Sequence, residues 1–498
     1  MPGNQPHAVL RFDAGINIGG GHAVRCLALA DDLAHAGWRC SLAIGPETLA
    51  AVPGITRSDH AYIEVTPSSS WLDSAFSDPA PELIVVDHYG IGADEETDYG
   101  RHSRVAVFDD LANRPHNANI LLDPTPGRTA DDYKGLTPDH AVLCLGPSFA
   151  ILRRQFRTQR TNALSRDTPP SAERILIAAG ATDAGSVTAL ALAAGAQALP
   201  AAEIDVVLGA LAPTRDDIQN MAQEIGPRVH VHIDVTDMAT LMGKADFAIG
   251  AAGSSAFERC ALGLPTIMIQ TADNQQFIAT ALAQAGAARI VQLKQARDVD
   301  GFAETLRQFG HDHQTRHTMK HAASALCDGA GTIRFQLALL PDISSRNDST
   351  IRLRLAEADD SDLLLSWQNV PETREFARNP TIPSAREHAT WFEAKRNDPN
   401  CVLALVTEDG IAAGMLRLDP VHDDKNTNAF EVSILTSPTH KRRGIAAAAL
   451  AYARNLVPGA TLHAEVLADN APSHGLFRAA GYERIAEGAY RNAPRETL

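Results

Sequence analysis

Three things are scarce in this 498-residue chain: paired cysteines, long apolar runs and positive charge. The six cysteines, at 26, 40, 144, 260, 327 and 401, form no C-x-x-C pair and no metal-ligand spacing. That pattern argues against a disulfide framework or a zinc cluster. No apolar run approaches the roughly 18 residues of a membrane span. Met1-Pro2-Gly3-Asn4 opens no basic-then-apolar leader, so a cytoplasmic location is expected. Lys and Arg number 44 against 60 Asp and Glu, a net charge of −16. A general nucleic-acid binder is excluded, because such affinity comes from bases neutralising phosphates. An anionic small ligand is not, since a glycine-rich loop binds phosphate in an acidic protein too; the plainest meaning of the charge is solubility.

What remains is an ordinary globular composition, 45% hydrophobic and 21% charged. The length predicts three folding units of roughly 100–200 residues, each able to bury a core. In the first 160 residues short apolar runs alternate with helical patterns. Val9–Asp13 reads as a strand, Gly15–Gly21 as a loop, and His22–Ala36 as a helix stopped by Gly37. Leu83–Asp87 and Val105–Asp109 read as buried parallel strands that each end in an acid. A polar stretch at 158–172 reads as a linker. The βα pattern then restarts at Arg174 and runs through 171–340, with strands at Ile204–Leu208, Val229–Ile233, Phe247–Gly250 and Thr266–Ile269. Two such units predict two Rossmann-like halves facing a cleft. A second polar linker is expected at 341–350, followed by an α+β unit over 350–498.

The first informative motif is Arg11-Phe-Asp13-Ala-Gly-Ile-Asn-Ile-Gly19-Gly20-Gly21-His22. Its glycines let backbone N–H groups approach an anion where a strand turns into a helix. His22 at the helix start faces such a ligand, where the helix dipole favours the neutral base; the bland alternative is a surface histidine after a tight turn. The second is Gly250-Ala-Ala-Gly253-Ser254-Ser255-Ala-Phe-Glu258. Gly253, Ser254 and Ser255 offer donors to a diphosphate, and Glu258 offers a carboxylate to ribose hydroxyls; the alternative is an exposed helix residue. The third is Asp273-Asn274-Gln275-Gln276 after a strand end, either a ligand crevice or a polar cap for the next helix.

Together these segments resemble the UDP-2,4-diacetamido-2,4,6-trideoxy-β-L-altropyranose hydrolases of pseudaminic acid synthesis, over about residues 8–335. Val85-Val-Asp87-His88-Tyr89-Gly90, Phe108-Asp109-Asp110-Leu-Ala-Asn113-Arg114 and Leu145–Arg153 fit as well. The resemblance implies an α/β fold, a GT-B-like pair of Rossmann-like domains. It implies water attacking the anomeric carbon with release of UDP, His22 as general base, and no metal. Gly20 and Gly21 line the loop, and Gly253, Ser254, Ser255 and Glu258 hold UDP. Asn274 and Gln275 orient the pyrophosphate or sugar, and Asp13, His88 and Asn113 fall on the sugar side. Asp123-Pro-Thr departs from the family, which often has an amide after this acid. Open alternatives are a GT-B glycosyltransferase, a catalytically silent UDP-sugar sensor, and a hydrolase of another UDP-amino sugar.

Downstream, Glu431–Ser437 followed by Pro438-Thr-His-Lys441-Arg442-Arg443-Gly444-Ile445-Ala446 resembles the acetyl-CoA loop of the GNAT superfamily. Lys441 stands where that family has Arg or Gln. The resemblance implies that Arg442, Arg443, Gly444 and Ala446 bind the CoA pyrophosphate at a helix start. The segment Asn470-Ala-Pro-Ser473…Phe477…Gly481-Tyr482 strengthens it, with Asn470 expected on CoA. Phe477 lacks the hydroxyl that often protonates the leaving thiolate there. Glu431 is a candidate base by analogy. The segments Trp367–Asn369 and Glu387–Phe392 resemble GNATs acting on amino sugars and protein N-termini, though such aromatics are usually core. The expected whole is a hydrolase fused to an N-acetyltransferase, with a UDP-linked amino sugar and acetyl-CoA as ligands and neither nucleic acid nor membrane as partner.

Overall fold

The computed structural model describes residues 5–15, 18–65, 80–180, 183, 186–209, 212–270, 275–421 and 428–494. Strands β1 (His7–Phe12), β2 (Arg39–Ile44), β3 (Ala61–Glu64), β4 (Leu83–Asp87), β5 (Arg104–Phe108), β6 (Ile120–Asp123) and β7 (Val142–Leu145) form one parallel sheet. Its order is β3-β2-β1-β4-β5-β6-β7. A second parallel sheet holds β8 (Arg174–Ala178), β9 (Glu203–Leu208), β10 (Val229–Ile233), β11 (Phe247–Ala251), β12 (Thr266–Gln270) and β13 (Arg289–Gln292), in the order β10-β9-β8-β11-β12-β13. These are the two expected Rossmann-like halves. Every residue of the central strands β1 and β4 is buried, as in a parallel sheet covered on both faces; β4 is apolar up to Asp87, while β1 also carries the buried His7 and Arg11. In each sheet the order reverses at one point, between β1 and β4 and between β8 and β11, which opens a crevice at the strands' carboxyl ends.

The third sheet is mixed: β14 (Ile343–Ser344), β15 (Thr350–Leu355), β16 (Val402–Glu408), β17 (Ile411–Pro420), β18 (Ala429–Thr436), β19 (Thr461–Glu465), β20 (Glu483–Ala486) and β21 (Ala489–Asn492), ordered 14-15-16-17-18-19-21-20. Neighbours are antiparallel except β18 and β19. The α-helix Ile445–Leu456 packs its Ile445, Ala448, Ala449, Tyr452 and Ala453 face onto this sheet. The fold is thus α/β, a GT-B-like pair of Rossmann-like domains followed along the chain by a GNAT domain.

By internal contacts the chain divides into two units. His7–Asp32 with Cys40–Thr332 makes one, containing both parallel sheets. Ile333–Leu498, with Leu33–Arg39 and the N-terminal residues, makes the other. Both expected linkers prove to be ordered structure. Residues 158–165 belong to the helix Arg154–Ser165. Its Arg160 spends its guanidinium on the carbonyls of Ala261, Ser324 and Cys327, a tertiary anchor that composition does not reveal. Ile343–Ser344 in the second stretch pairs with β15.

The core of the second sheet centres on Phe247 and Phe309, both buried and set edge to face with centroids 5.4 Å apart. Such pairs add to the value of the buried area. Phe309→Ala should cost about 3–5 kcal/mol, read as a lower urea midpoint by far-UV circular dichroism.

Candidate functional site

The front site lies at the first switch point. β1 delivers Asp13, the glycine loop delivers His22 at the start of the helix Gly21–Ala36, and β4 ends in Asp87-His88-Tyr89. His22 is 7% exposed and Asp87 1%. His22 Nδ1 lies 2.5 Å from Asp87 Oδ1. Arg25, one turn along the helix, forks onto the same carboxylate, Nε to Oδ2 at 2.5 Å and Nη2 to Oδ1 at 2.6 Å. Arg25 Nη2 is also 3.2 Å from His22 Nδ1, but the shorter contact sends its hydrogen to the carboxylate. A carboxylate only accepts, so His22 carries its proton on Nδ1 and turns the Nε2 lone pair away from Asp87. Nε2 has no hydrogen-bond partner among the described residues. The Tyr89 ring stands edge-on to the imidazole at 4.9 Å.

Burial alone would raise the Asp87 carboxyl, but the charge of Arg25 and the hydrogen bonds from Arg25 and His22 outweigh it and hold it well below the usual range. Burial would likewise lower Arg25, but Asp87 and Asp110 hold it above its ordinary value. Asp87 and Arg25 join this candidate site although motif reading gave them no role; the available signal was an apolar strand ending in an acid.

Asp13 and His88 meet as a second pair. His88 Nδ1 accepts from Gly90 N–H at 3.0 Å, so Nε2–H donates to Asp13 Oδ2 at 3.0 Å. Asp13 also takes Gly45 N–H at 2.7 Å and the Arg11 guanidinium. Burial raises its carboxyl, and the bonds from His88 and Arg11 reverse that, leaving it well below the ordinary value. Asn113 is exposed, on the loop after β5. Asp123 is fully buried and held by Thr125 N–H, the Tyr133 hydroxyl and Arg128, so it builds the fold beneath the loops.

The second half brings its motif to the other switch point. Ser254 makes no capping bond with its hydroxyl, and a Cβ on Gly253 would meet nothing within 4 Å. A Cβ on Gly21 would come within 3.2 Å of Ser254 Oγ, so the two glycine-rich loops approach one another. Ser255 Oγ accepts from the buried Arg259 at 3.1 Å, which frees its own O–H to donate elsewhere. Glu258 is not an exposed helix residue: it is 6% exposed, and Oε1 takes Arg153 Nη2 at 2.9 Å and Nε at 3.2 Å. That ion pair, unseen in the motif, leaves Oε2 as the oxygen available to a ligand. Gln275 sits half-buried just before the helix Gln276–Gln284, while Asn274 lies outside the described residues.

In the third sheet β18 and β19 pair only through Ala429–Thr461, Phe430–Leu462 and Glu431–His463. Beyond Glu431 the strands are no longer paired with each other, so the sheet is split. At the end of β18 the loop 437–444 turns into the helix Ile445–Leu456, through Arg442 (φ +66°) and Gly444 (φ +98°). Gly444 is needed there because side chains rarely adopt that conformation. Ala446 is half-buried in the first turn and Arg442 is exposed. Two expected cofactor contacts are already engaged. Arg443 is turned away onto the buried Glu408 at 3.0 Å. Asn470 caps the helix Ala471–Ala479, accepting Ser473 N–H at 3.1 Å.

The face of this sheet opposite the helix Ile445–Leu456 carries a polar row. Register aligns Asp419 with Glu431 and Glu431 with His463, and Arg417 with Ser433 alongside. Arg378 bridges Glu431 at 2.5 Å and Glu465 at 3.1 Å. Lys395 and Arg417 converge on Asp419 at 2.7 and 2.5 Å, and Arg417 lies over the Trp391 ring at 5.4 Å. Trp367 and Phe392 are core, and Trp391 faces this row. Among the described residues the tyrosines near Phe477 have their hydroxyls committed or buried, and Tyr490 pairs with His474 Nδ1 at 2.7 Å. Tyr452 donates to Ile351 O, while Tyr482 is buried and its hydroxyl pushed up to about 12 by that burial.

Residues 350–483 match the acetyltransferase (GNAT) domain family, and residues 175–333 the glycosyltransferase family 28 C-terminal domain. An uncharacterized protein of Methanocaldococcus jannaschii is 22% identical over 492 residues, 96% of each chain. The UDP-2,4-diacetamido-2,4,6-trideoxy-beta-L-altropyranose hydrolase of Campylobacter jejuni is 26% identical over 281 residues, 56% of this chain and 96% of that one. A spore coat polysaccharide biosynthesis protein of Bacillus subtilis is 26% identical over 201 residues, 40% of this chain and 58% of that one. The chain is an enzyme with a GNAT acetyltransferase domain, for which acetyl-CoA is the implied cosubstrate. Its front part is of the nucleotide-sugar type, related to family 28 transferases and UDP-sugar hydrolases. No described helix is long and apolar enough to cross a membrane.

Because the folded Asp87 carboxyl is depressed, its contribution to stability is fully present above the ordinary Asp value of about 3.9 and is lost as pH falls below it. Wild type should lose thermal stability steeply in that acid window. Asp87→Asn should start less stable at pH 7 and fall less, in melting curves across the range; parallel curves would remove Asp87 from the acid response.

Proposed function

We propose that the chain is a bifunctional enzyme of pseudaminic acid biosynthesis, acting in the cytoplasm. The front part hydrolyses UDP-2,4-diacetamido-2,4,6-trideoxy-β-L-altropyranose, and the GNAT domain acetylates the 4-amine of its UDP-sugar precursor. The observation that carries the first half is His22, oriented by buried Asp87 and approached by the Gly253–Ser255 loop. Water is a poor nucleophile, so a positioned base is needed. His22 Nε2 takes a proton as water oxygen bonds to the anomeric carbon. The bond from that carbon to the diphosphate oxygen breaks on the opposite face, which inverts the centre. UDP leaves with the electron pair, towards the N–H and hydroxyl donors of Gly253, Ser254 and Ser255. Glu258 Oε2 is assigned to the ribose, Gln275 and Asn274 to the pyrophosphate or sugar, and Asp13, His88 and Asn113 to the sugar. None of these steps calls for a metal.

For the second half, the split between β18 and β19 and the Gly444 turn give acetyl-CoA a place beside the strand edge and the helix start. Arg442, Gly444 and Ala446 are assigned to its pyrophosphate; Arg443 and Asn470 serve through the loop and cap they hold. Glu431 is assigned to the amine by analogy, in exchange for its ion pair with Arg378. The amine nitrogen bonds to the acetyl carbon, the C–S bond breaks, and the ammonium's excess protons go to the thiolate and to solvent. The Methanocaldococcus jannaschii relative matches along 96% of both chains, which supports the two parts belonging together in one chain.

The test is phosphorus and proton NMR of the protein with UDP-2,4-diacetamido-2,4,6-trideoxy-β-L-altropyranose, without metal or acceptor. Release of UDP and inverted free sugar is expected. No turnover with UDP binding intact would shift the assignment to a transferase or to another sugar. His22→Ala should lower kcat by roughly 10²–10⁴ and leave UDP affinity unchanged; wild-type turnover would remove His22 as base. Gly444→Val should abolish acetyl-CoA binding in calorimetry while front-part hydrolysis persists. Retained binding would place the cofactor elsewhere.

A further inference from the structure

The helix His313–Leu326 holds three histidines in 14 residues, against 19 in the whole chain, and they are spaced four apart: His313, His317 and His321. That spacing puts them on one helix face, and all three are exposed. The opposite face is committed: Arg316, Met319 and Ala323 are buried, and Met319 Sδ accepts from Thr266 N–H at the start of β12. The histidine face has no part in the chemistry above.

His317 and His321 turn the same ring nitrogen towards each other, Nε2 to Nε2 at 3.2 Å. With metal–imidazole bonds of about 2.0–2.1 Å, that separation corresponds to an N–metal–N angle of about 100–106°, near tetrahedral. The geometry points to a divalent transition-metal site chelated by His317 and His321 across one helical turn. Water fills the other positions, because no group of three or more His, Cys, Asp or Glu could hold one ion among the described residues. Two imidazoles without a carboxylate select Cu²⁺, Ni²⁺ or Zn²⁺ over Mg²⁺ or Ca²⁺. His313 flanks the pair: its ring lies nearly parallel to that of His317 at 5.9 Å, not turned into the gap.

The test uses tag-free, chelator-stripped protein and the metals alone. Calorimetry with ZnCl₂ and with NiCl₂ should show one high-affinity ion per chain, and MgCl₂ none. Copper electron paramagnetic resonance should show two nitrogen ligands. His317→Asn and His321→Asn should each weaken zinc binding by roughly tenfold or more, at least the cost of losing an outer-shell partner. His313→Asn should bind as wild type. All three should keep the wild-type UDP affinity and circular dichroism, since the site lies on the solvent face. Wild-type zinc affinity in both pair variants, or no zinc or nickel binding by the wild type, would reduce the contact to an N–H···N hydrogen bond and overturn the site.

Discussion

The front half of the molecule depends on one buried carboxylate. Asp87 ends a strand whose other residues are all apolar and buried, and it is itself 1% exposed. A charge in that position is tolerable only if paired and hydrogen-bonded. The partners come from one helical turn, His22 and Arg25, so the same interaction docks the helix Gly21–Ala36 on the strand end and fixes which imidazole nitrogen is free. Arg25 in turn lies over the Phe108 ring at 5.0 Å and reaches Asp110 at 3.7 Å, which ties in the end of β5. Two neighbouring strand ends and the start of the helix are thereby locked around an imidazole whose orientation the fold itself sets.

Much of this was legible in the residues alone. The parallel strands announced themselves as unbroken apolar runs, and the two glycine-rich segments fell where strands turn into helices, with His22 and Ser254 on them. What escaped was long-range pairing. Asp87 is 65 residues from His22, and nothing local marks Arg25 as more than a helix-face base. Glu258 looked free because its partner Arg153 lies 105 residues earlier. The stretch around Arg160 looked like a linker because its polar residues are satisfied by carbonyls from distant elements. In each case composition records the polar group and only the tertiary structure records where its hydrogen bonds go.

The acetyltransferase part repeats the lesson with a different outcome. Its loop and downstream helix were legible from Gly444 and Asn470, yet two of the side chains expected on the cofactor serve the scaffold. Arg443 neutralises a buried glutamate, and Asn470 caps a helix. Both hold the backbone that surrounds the split between β18 and β19, so their effect on a cofactor passes through loop geometry. Phe477 belongs to an aromatic cluster with Tyr482 and Tyr490, centroids 5.1 and 5.7 Å away.

The two Rossmann-like halves touch through side chains of a particular kind. Arg57 meets Asp234 at 2.6 Å with both side chains largely in solvent, and Arg128 lies over the Phe277 ring at 4.8 Å. An exposed ion pair contributes about 0–1 kcal/mol, whereas the Arg128 guanidinium is held by Asp123 and largely buried, so its contact with Phe277 is the more desolvated of the two. The ion pair is therefore worth little more than thermal energy, and it is screened by dissolved ions. That one latch between the halves is therefore tuned by the ionic strength of the surroundings.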